Sequence, residues 1–340
     1  MVESTPLVSV IIPAFNASVY IESAVKSAIA QTYKNIEIII IDDGSTDDTF
    51  KVAKNLSIKY SNVKAYTQIN GRQGKARNFG IKNSSGEFIA FLDADDEWLQ
   101  DKIEIQLKHL FKQDADLVFS DGYLFVTDSN KALAEIFKTT NQATEIGSLK
   151  GIIYGKNGVK LLHLKNRIPT SSVLCKKSAI ENVGFFDTQF LLHEDYMLWL
   201  KLTINGYKLV GIEEKLFLYR FHSNSSTYGF RKQLFVLIDC VYEMGIPITT
   251  EQKIQIIKHS KSLFEDLNPT GEIKLAKGIM EKYAQNAAGG LAKYFMKFSL
   301  SLNLYNVFLS LFYRESRPLF EKQIDERNLI LPLQQANILK

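Results

Sequence analysis

The sequence predicts an α/β fold, a mostly parallel central sheet flanked by helices, followed by a C-terminal helical region. Three observations predict it. Through the first 130 residues, apolar runs of strand length alternate with segments whose apolar side chains recur at helical spacing. The runs Val8–Ile12 and Glu37–Ile41 are dense in β-branched residues, as strands covered on both faces require. From about Phe230 onward only helical patterns appear. Alternation of the first kind builds βαβ units, and such units give a parallel sheet with helices packed on it.

Taken in order, Val8–Ile12 is the first strand. Ile21, Ala24, Val25, Ala28 and Ile29 share a helical face, and Glu37–Ile41 returns to a buried strand. Ser45 and Asp48 fit a capping box for a helix carrying Val52 and Leu56. "VKAYTQ" (Val63–Gln68) reads as a third strand, "GKARNFGIKNS" (Gly74–Ser84) as a short helix and "EFIAFL" (Glu87–Leu92) as a fourth strand. Leu99, Ile103, Leu107, Leu110 and Phe111 form another helix face, and Ala115–Val126 is strand-like. The pattern weakens from about Lys131 to Leu164, an irregular insert expected to face an acceptor. Order returns with Thr170–Asp187, "HEDYMLWLKLTINGYKLVGI" and "EKLFLYRFHSNSST".

Composition narrows the classes. A chain of 340 residues, 46% hydrophobic and 23% charged, is globular material for one large domain plus an appendage, or for two domains. A net charge of +4 without a block of five Lys or Arg argues against nucleic acid as a partner. Two cysteines, Cys175 and Cys240, supply neither a disulfide framework nor a CxxC zinc spacing, so a reducing compartment is expected. The opening "MVESTPLVSV" lacks a basic stretch before its apolar run, and no signal peptide is expected.

Ligands of parallel α/β sheets sit beyond the carboxyl ends of the strands, so the polar residues that follow each apolar run are the candidates. They are "PAFN" (Pro13–Asn16), "DDGSTDD" (Asp42–Asp48), "NGRQGKARN" (Asn70–Asn78) and "DADD" (Asp93–Asp96). If "LDADD" is extended, Asp93 and Asp95 share one side and Ala94 points away. Two carboxylates there suit Mg²⁺ or Mn²⁺ completed by diphosphate oxygens and water. The same segment also reads as a helix cap, with Asp95 or Asp96 preceding "EWLQDKIEIQLKHL". Asp43, at the end of a central strand, can accept a hydrogen bond from a base N–H such as uracil N3, whereas Asp47 and Asp48 suit the first turn of the next helix. Arg72, Lys75 and Arg77 flank a helix start and suit a diphosphate. Asp195, beside His193 and Glu194 at the start of an apolar helix, reads as an N-cap or, if it overlooks the crevice, as a general base. His222 ends a strand-like run and could reach a metal or diphosphate.

Together, "VSVIIPAFN", "IDDGSTDDT", "ARNFGI", "GEFIAFLDADD", "HEDYMLWLKL" and "YRFHSNSST" resemble, in order, segments of the inverting family 2 glycosyltransferases with the Rossmann-like GT-A fold. The resemblance covers roughly Leu7–Ser226. It implies a catalytic domain over 1–228, with a nucleotide-sugar half to about 130 and an acceptor-facing half beyond it, and a helical region over 229–340. Pro13, Ala14, Phe15, Asn16 and Asp43 would hold the nucleoside, with Asp93 and Ala94 by the ribose. Arg72 and Arg77 would serve the diphosphate. Asp95, with Asp93 and His222, would ligate a divalent Mn²⁺ or Mg²⁺, and Asp195 would be the base. The implied donor is a UDP-linked hexose or N-acetylhexosamine. The acceptor would be a glycan or lipid-linked saccharide of bacterial surface polysaccharide or lipopolysaccharide synthesis, with a polyprenyl phosphate as the alternative. A nucleotidyltransferase would need a Gly-rich run after the first strand, where "PAFN" stands instead. A noncatalytic sugar-binding module would not explain Asp43, Asp95 and Asp195 together.

The tail segment Phe298–Tyr313 spans 16 residues. As a helix of about 24 Å it is too short to cross a ~30 Å hydrocarbon core comfortably. It would pack on the catalytic domain or a second subunit, or lie at a membrane surface flanked by Lys293, Lys297, Arg314 and Arg317. The expected location is cytoplasmic, with a peripheral contact to the inner membrane left open.

Overall fold

The computed structural model describes residues 5–126, 168–188 and 194–222, with short stretches between 144 and 162. The chain divides into two compact units, Met1–Ser225 and Ser226–Lys340, and every element below belongs to the first. The region expected to be helical over 229–340, its Phe298–Tyr313 segment, His193 and Cys240 lie outside the described residues.

Strands β1 (Val8–Ala14) and β2 (Ile36–Asp42) are buried along all seven residues each, which is why their sequences run apolar rather than alternating. Glu37 interrupts the second run, and it is satisfied by Ser9 Oγ at 2.6 Å and Lys64 Nζ at 2.8 Å. Helix α1 (Ile21–Ile29) buries Ile21, Ala24, Val25 and Ala28, the face read from spacing. Helix α2 (Thr49–Lys59) leads to β3 (Val63–Thr67), and α3 (Arg72–Lys82) leads to β4 (Phe88–Phe91). Gly80 lets α3 approach the sheet closely, because a Cβ there would lie 2.6 Å from Ile11 Cγ2 and 2.7 Å from Ile41 Cδ1.

The sheet order places β2 and β3 on one side of β1 and β4 on the other, all parallel. The chain thus reverses direction across the sheet at β1 and β4, and their carboxyl ends open a crevice. Beyond β4 the sheet is mixed. β9 (Val173–Lys176) runs antiparallel to β4 and to β6 (Leu117–Val126), β10 (Leu209–Phe221) is parallel to β6, and β5 (Glu97–Trp98) is antiparallel to β10. The parallel arrangement therefore holds where helices cross between strands, which is the geometry that a parallel pair needs.

Three local expectations change. Helix α4 (Lys102–Lys112) starts later than expected, because Glu97 and Trp98 pair with Leu218 and Phe217; Asp95 and Asp96 cap no helix. The Ser45–Asp48 capping box does not form. Ser45 Oγ accepts from Asn16 N instead, and neither capping bond runs from Asp48. The weakly patterned stretch contains β7 (Thr144–Glu145), paired with β6, and β8 (Gly151–Ile153), paired with β10, both too short to leave a period in the sequence. Helices α5 (Lys177–Asn182) and α6 (Glu194–Ile204) complete the described elements.

Candidate active site

At the crevice, β1 ends in buried Pro13 and Ala14, and the next residue, Phe15, is 51% exposed. A large apolar ring left open at a strand end is a surface for a flat ligand. Ala14 O accepts from Asp43 N at 2.8 Å, so the two strand ends are locked together. Asp43 is buried, and its Oδ1 accepts from Gln68 Nε2 at 2.7 Å and Gly71 N at 2.8 Å. Its Oδ2 takes no hydrogen bond among the described residues. Asp42 turns the other way, accepting from Thr67 Oγ1 at 2.9 Å and Ser45 N at 3.3 Å. Gly44 permits this junction: its φ is +74°, and a Cβ would stand 2.9 Å from Asn70 N.

Asn16 sits in the left-handed region at φ 49° and its Oδ1 accepts from Thr46 N at 2.9 Å. Its side chain therefore braces the loop after β2, where the sequence had suggested a nucleoside contact. Asp47 does the work assigned to the capping box. One carboxylate oxygen accepts from Thr49 N at 3.0 Å and the other from Ser18 N at 3.1 Å, joining the loops after β1 and β2. Burial opposes its ionisation, yet these bonds from Thr49 and Ser18 bring its pKa down to about 2. Because the folded value lies below the unfolded one, the stabilisation is complete above about pH 4 and disappears as pH falls towards 2. Asp47→Ala is expected to lower stability by about 1 kcal/mol at neutral pH, measured by urea titration, with the difference from wild type shrinking in acid.

Arg72 opens α3 at φ 70°, an unusual conformation for a long side chain, and that side chain is exposed, as is Lys75. Left-handed backbone of this kind costs about 1–3 kcal/mol and clusters at functional sites. Arg77 differs. It is 1% exposed, and its two amino groups donate to Asp93 Oδ1 and Glu194 Oε1, each at 2.6 Å. The expectation that Arg77 faces a diphosphate is corrected here, because both ends of its fork are already held by carboxylates inside the domain.

The "LDADD" segment is a turn, with Asp96 N donating to Asp93 O at 3.0 Å, so the extended alternation expected for it does not occur. Ala94 is buried in the hydrophobic core. Ser171 Oγ, from a 3₁₀ turn at Thr170–Ser172, donates to Asp96 Oδ2 at 2.5 Å and accepts from Asp93 N at 3.1 Å. Arg220 clasps the other side of the turn, with its N 2.9 Å from Asp96 Oδ1, Nε 2.8 Å from Asp95 O and an amino group 2.6 Å from Glu97. His222 Nε2 lies 3.1 Å from Asp95 Oδ2, and its ring stacks on Tyr20 at 4.9 Å. Burial, then the charges of Asp95 and Asp93, hold the Asp96 carboxyl well above the usual range. Burial also raises Asp93, against the opposing pull of Arg77.

No three His, Cys, Asp or Glu side chains among the described residues converge as a ready metal cage. The expected set of Asp93, Asp95 and His222 is thus not preassembled, since Arg77 holds one oxygen of Asp93 and His222 leans on Asp95. The donor chemistry still fits a hard divalent ion. Mg²⁺ or Mn²⁺ commonly takes one or two carboxylates and fills its shell from substrate phosphate and water.

Asp195 lies in the first turn of α6, where the helix dipole favours negative charge. Thr170 Oγ1 donates to its Oδ2 at 2.9 Å, and Tyr196 N to its Oδ1 at 2.6 Å. Helix α6 is seated by an aromatic cluster, with Phe91 and Phe186 at 5.3 Å and Trp199 6.3 Å from Phe186. The hydroxyls Thr170 and Ser171, which reach Asp195 and Asp96, were missed from sequence. Their trace was the run "TSS" directly before the apolar "VLC".

A family model described as glycosyl transferase family 2 matches residues 9–179. The UDP-Glc:alpha-D-GlcNAc-diphosphoundecaprenol beta-1,3-glucosyltransferase WfaP of Escherichia coli is 31% identical over 240 residues, 71% of this chain and 87% of WfaP. The glycosyltransferase RT0329 of Rickettsia typhi is 35% identical over 198 residues, 58% of each chain. Across five rickettsial relatives, the matched part spans from 31% to 87% of the relative's length, and in four of them it is less than two thirds. Among solved structures, residues 1–349 of Staphylococcus aureus TarS with UDP-GlcNAc align at a TM-score of 0.59 and 15% identity, covering 91% of this chain and 92% of that one. The mannosyltransferase PcManGT of Pyrobaculum calidifontis, solved with GDP-Man and Mn²⁺, aligns at 0.50 and 15% identity, covering 93% and 88%. The fold is the GT-A arrangement, and the chain belongs to glycosyl transferase family 2.

Proposed function

We propose that this chain transfers a hexose or N-acetylhexosamine from a UDP-linked donor to a hydroxyl of a glycan or lipid-linked saccharide, by a single inverting displacement. The observation that carries the reading is the set of acidic groups that follow the strand ends and open α6. Asp43 stands at the end of β2, Asp93 and Asp95 follow β4, and Asp195 opens α6, joined to that turn through Thr170 and Ser171.

In this reading Phe15 stacks on the uracil and Asp43 accepts from its N3–H through Oδ2, since Oδ1 is held by Gln68 and Gly71. Asp93 and Asp95, with His222, would hold Mn²⁺ or Mg²⁺, which when bound supplies positive charge to the departing diphosphate. Asp195 takes the proton of the acceptor hydroxyl, which is too weakly acidic to attack unaided. Attack opposite the leaving group turns an α-linked donor into a β-linked product. That WfaP is named for a UDP-glucose donor and a diphosphoundecaprenol-linked acceptor, and that TarS was solved with UDP-GlcNAc, support the choice of donor and acceptor class. A lipid-linked acceptor would bring the protein to a membrane surface; no described helix is long and apolar enough to cross one.

Two results follow. In a panel of UDP-, GDP-, CDP- and dTDP-sugars, nucleotide release should be confined to UDP donors, and preferred release from a GDP-sugar would remove the role given to Asp43. Arg72 is exposed at the head of α3 and remains the cation offered to the diphosphate, so Arg72→Ala should raise the donor KM about tenfold, the scale of one charge-assisted hydrogen bond. An unchanged KM in steady-state kinetics would take Arg72 out of the donor site.

A further inference from the structure

Arg77 is the largest charged side chain buried in the described domain, and it reaches in two directions. One amino group holds Asp93, at the end of β4; the other holds Glu194, the residue immediately before Asp195. Both contacts are 2.6 Å, and a planar guanidinium fixes the angle between them in a way a flexible ammonium cannot. Helix α3 is shaped around this contact. A Cβ on Gly74 would come within 3.3 Å of Glu194 Cγ, and Asn78 clamps Phe186 with a bond to its carbonyl at 2.8 Å and one from its N–H at 2.9 Å. The Phe186 ring in turn lies 5.5 Å from the guanidinium.

Stability does not account for such an arrangement. Buried ion pairs are often replaced by apolar residues at little or no loss, because desolvation offsets their attraction. Here one guanidinium faces three carboxyl groups, those of Asp93, Glu194 and Asp195, and burial raises Asp93 and Glu194 against its pull. What it does supply is a rigid distance between the turn after β4 and the first turn of α6. We propose that Arg77 and Glu194 are a positioning pair that sets the base Asp195 at its working distance from the donor held by Asp93 and Asp95. The inference rests on the proposed function, and it predicts an effect on turnover with little effect on donor affinity.

The test uses the full chain, with UDP and Mn²⁺ as the binding probe and steady-state transfer as the readout. Arg77→Lys keeps the charge but loses the fork. It should lower kcat about a hundredfold while the UDP dissociation constant and donor KM stay within about threefold. Glu194→Gln keeps the shape and one acceptor, which protects folding, and should lower kcat about tenfold. The double variant should be no slower than Arg77→Lys alone, because both changes break one connection. Wild-type kcat in both single variants would overturn the proposal, as would a loss of UDP affinity that matches the loss in kcat. If wild type binds UDP and transfers sugar and Asp195→Asn does not, such results sink only the positioning pair. If wild type neither binds UDP nor releases it from any donor, the proposed function itself has failed.

Discussion

Asp195→Asn should fold like wild type, bind UDP, and transfer sugar about a thousandfold more slowly, within the range that general bases contribute. The change removes the proton acceptor and keeps the size of the side chain. The amide oxygen can still accept from Thr170 Oγ1 or from the Tyr196 N–H, so the first turn of α6 keeps a partner there. The seating of that helix does not depend on the carboxylate, because Tyr196, Leu198, Trp199 and Leu200 are all buried. Matching melting temperatures together with collapsed turnover would separate chemistry from folding. Near-wild-type turnover would remove Asp195 from the role of base.

The second large effect concerns the turn after β4. Transfer should be abolished in excess chelator and return on adding Mn²⁺ or Mg²⁺, and Asp95→Ala should lose it in a way that added metal does not restore. The expectation rests on charge. Asp93, Asp95 and Asp96 crowd one turn; burial followed by like-charge repulsion pushes Asp96 well up, and Arg220 meets this turn mainly through Glu97 and backbone groups. In the proposed function, a divalent ion held by Asp93 and Asp95 would relieve that repulsion. His222→Ala, by contrast, should weaken metal use without eliminating it, because His222 leans on Asp95 from outside the turn. Full activity in chelator would withdraw Asp95 from metal binding.

Much of this was legible in the order of residues along the chain. The unbroken burial of β1 and β2 announces itself as apolar runs, and the two strand ends are joined where Asp43 N donates to Ala14 O. The reading failed where the outcome depended on contacts distant in sequence. Arg77 lies midway along a basic helix, and nothing local says that it turns inward to Glu194, 117 positions away. Glu97 and Trp98 suit an amphipathic helix on spacing alone; pairing with β10 overrides that preference and delays α4. Strand alternation puts Asp93 and Asp95 on one side, but the backbone turns at Asp93, and Ser171 holds that turn through Asp93 and Asp96. Ser45, Asp47 and Asp48 all suit a cap, and only the loop after β1, meeting Asp47 at Ser18, decides among them.

The measurement that bears most directly on the account is the anomeric configuration of the product, with its stoichiometry. An α-linked UDP-[¹³C]sugar, incubated with the full chain, Mn²⁺ and a diphospholipid-linked saccharide acceptor, should yield one UDP per sugar transferred and a single β-linkage by NMR. A product that retains the α-configuration would contradict the single displacement driven by Asp195.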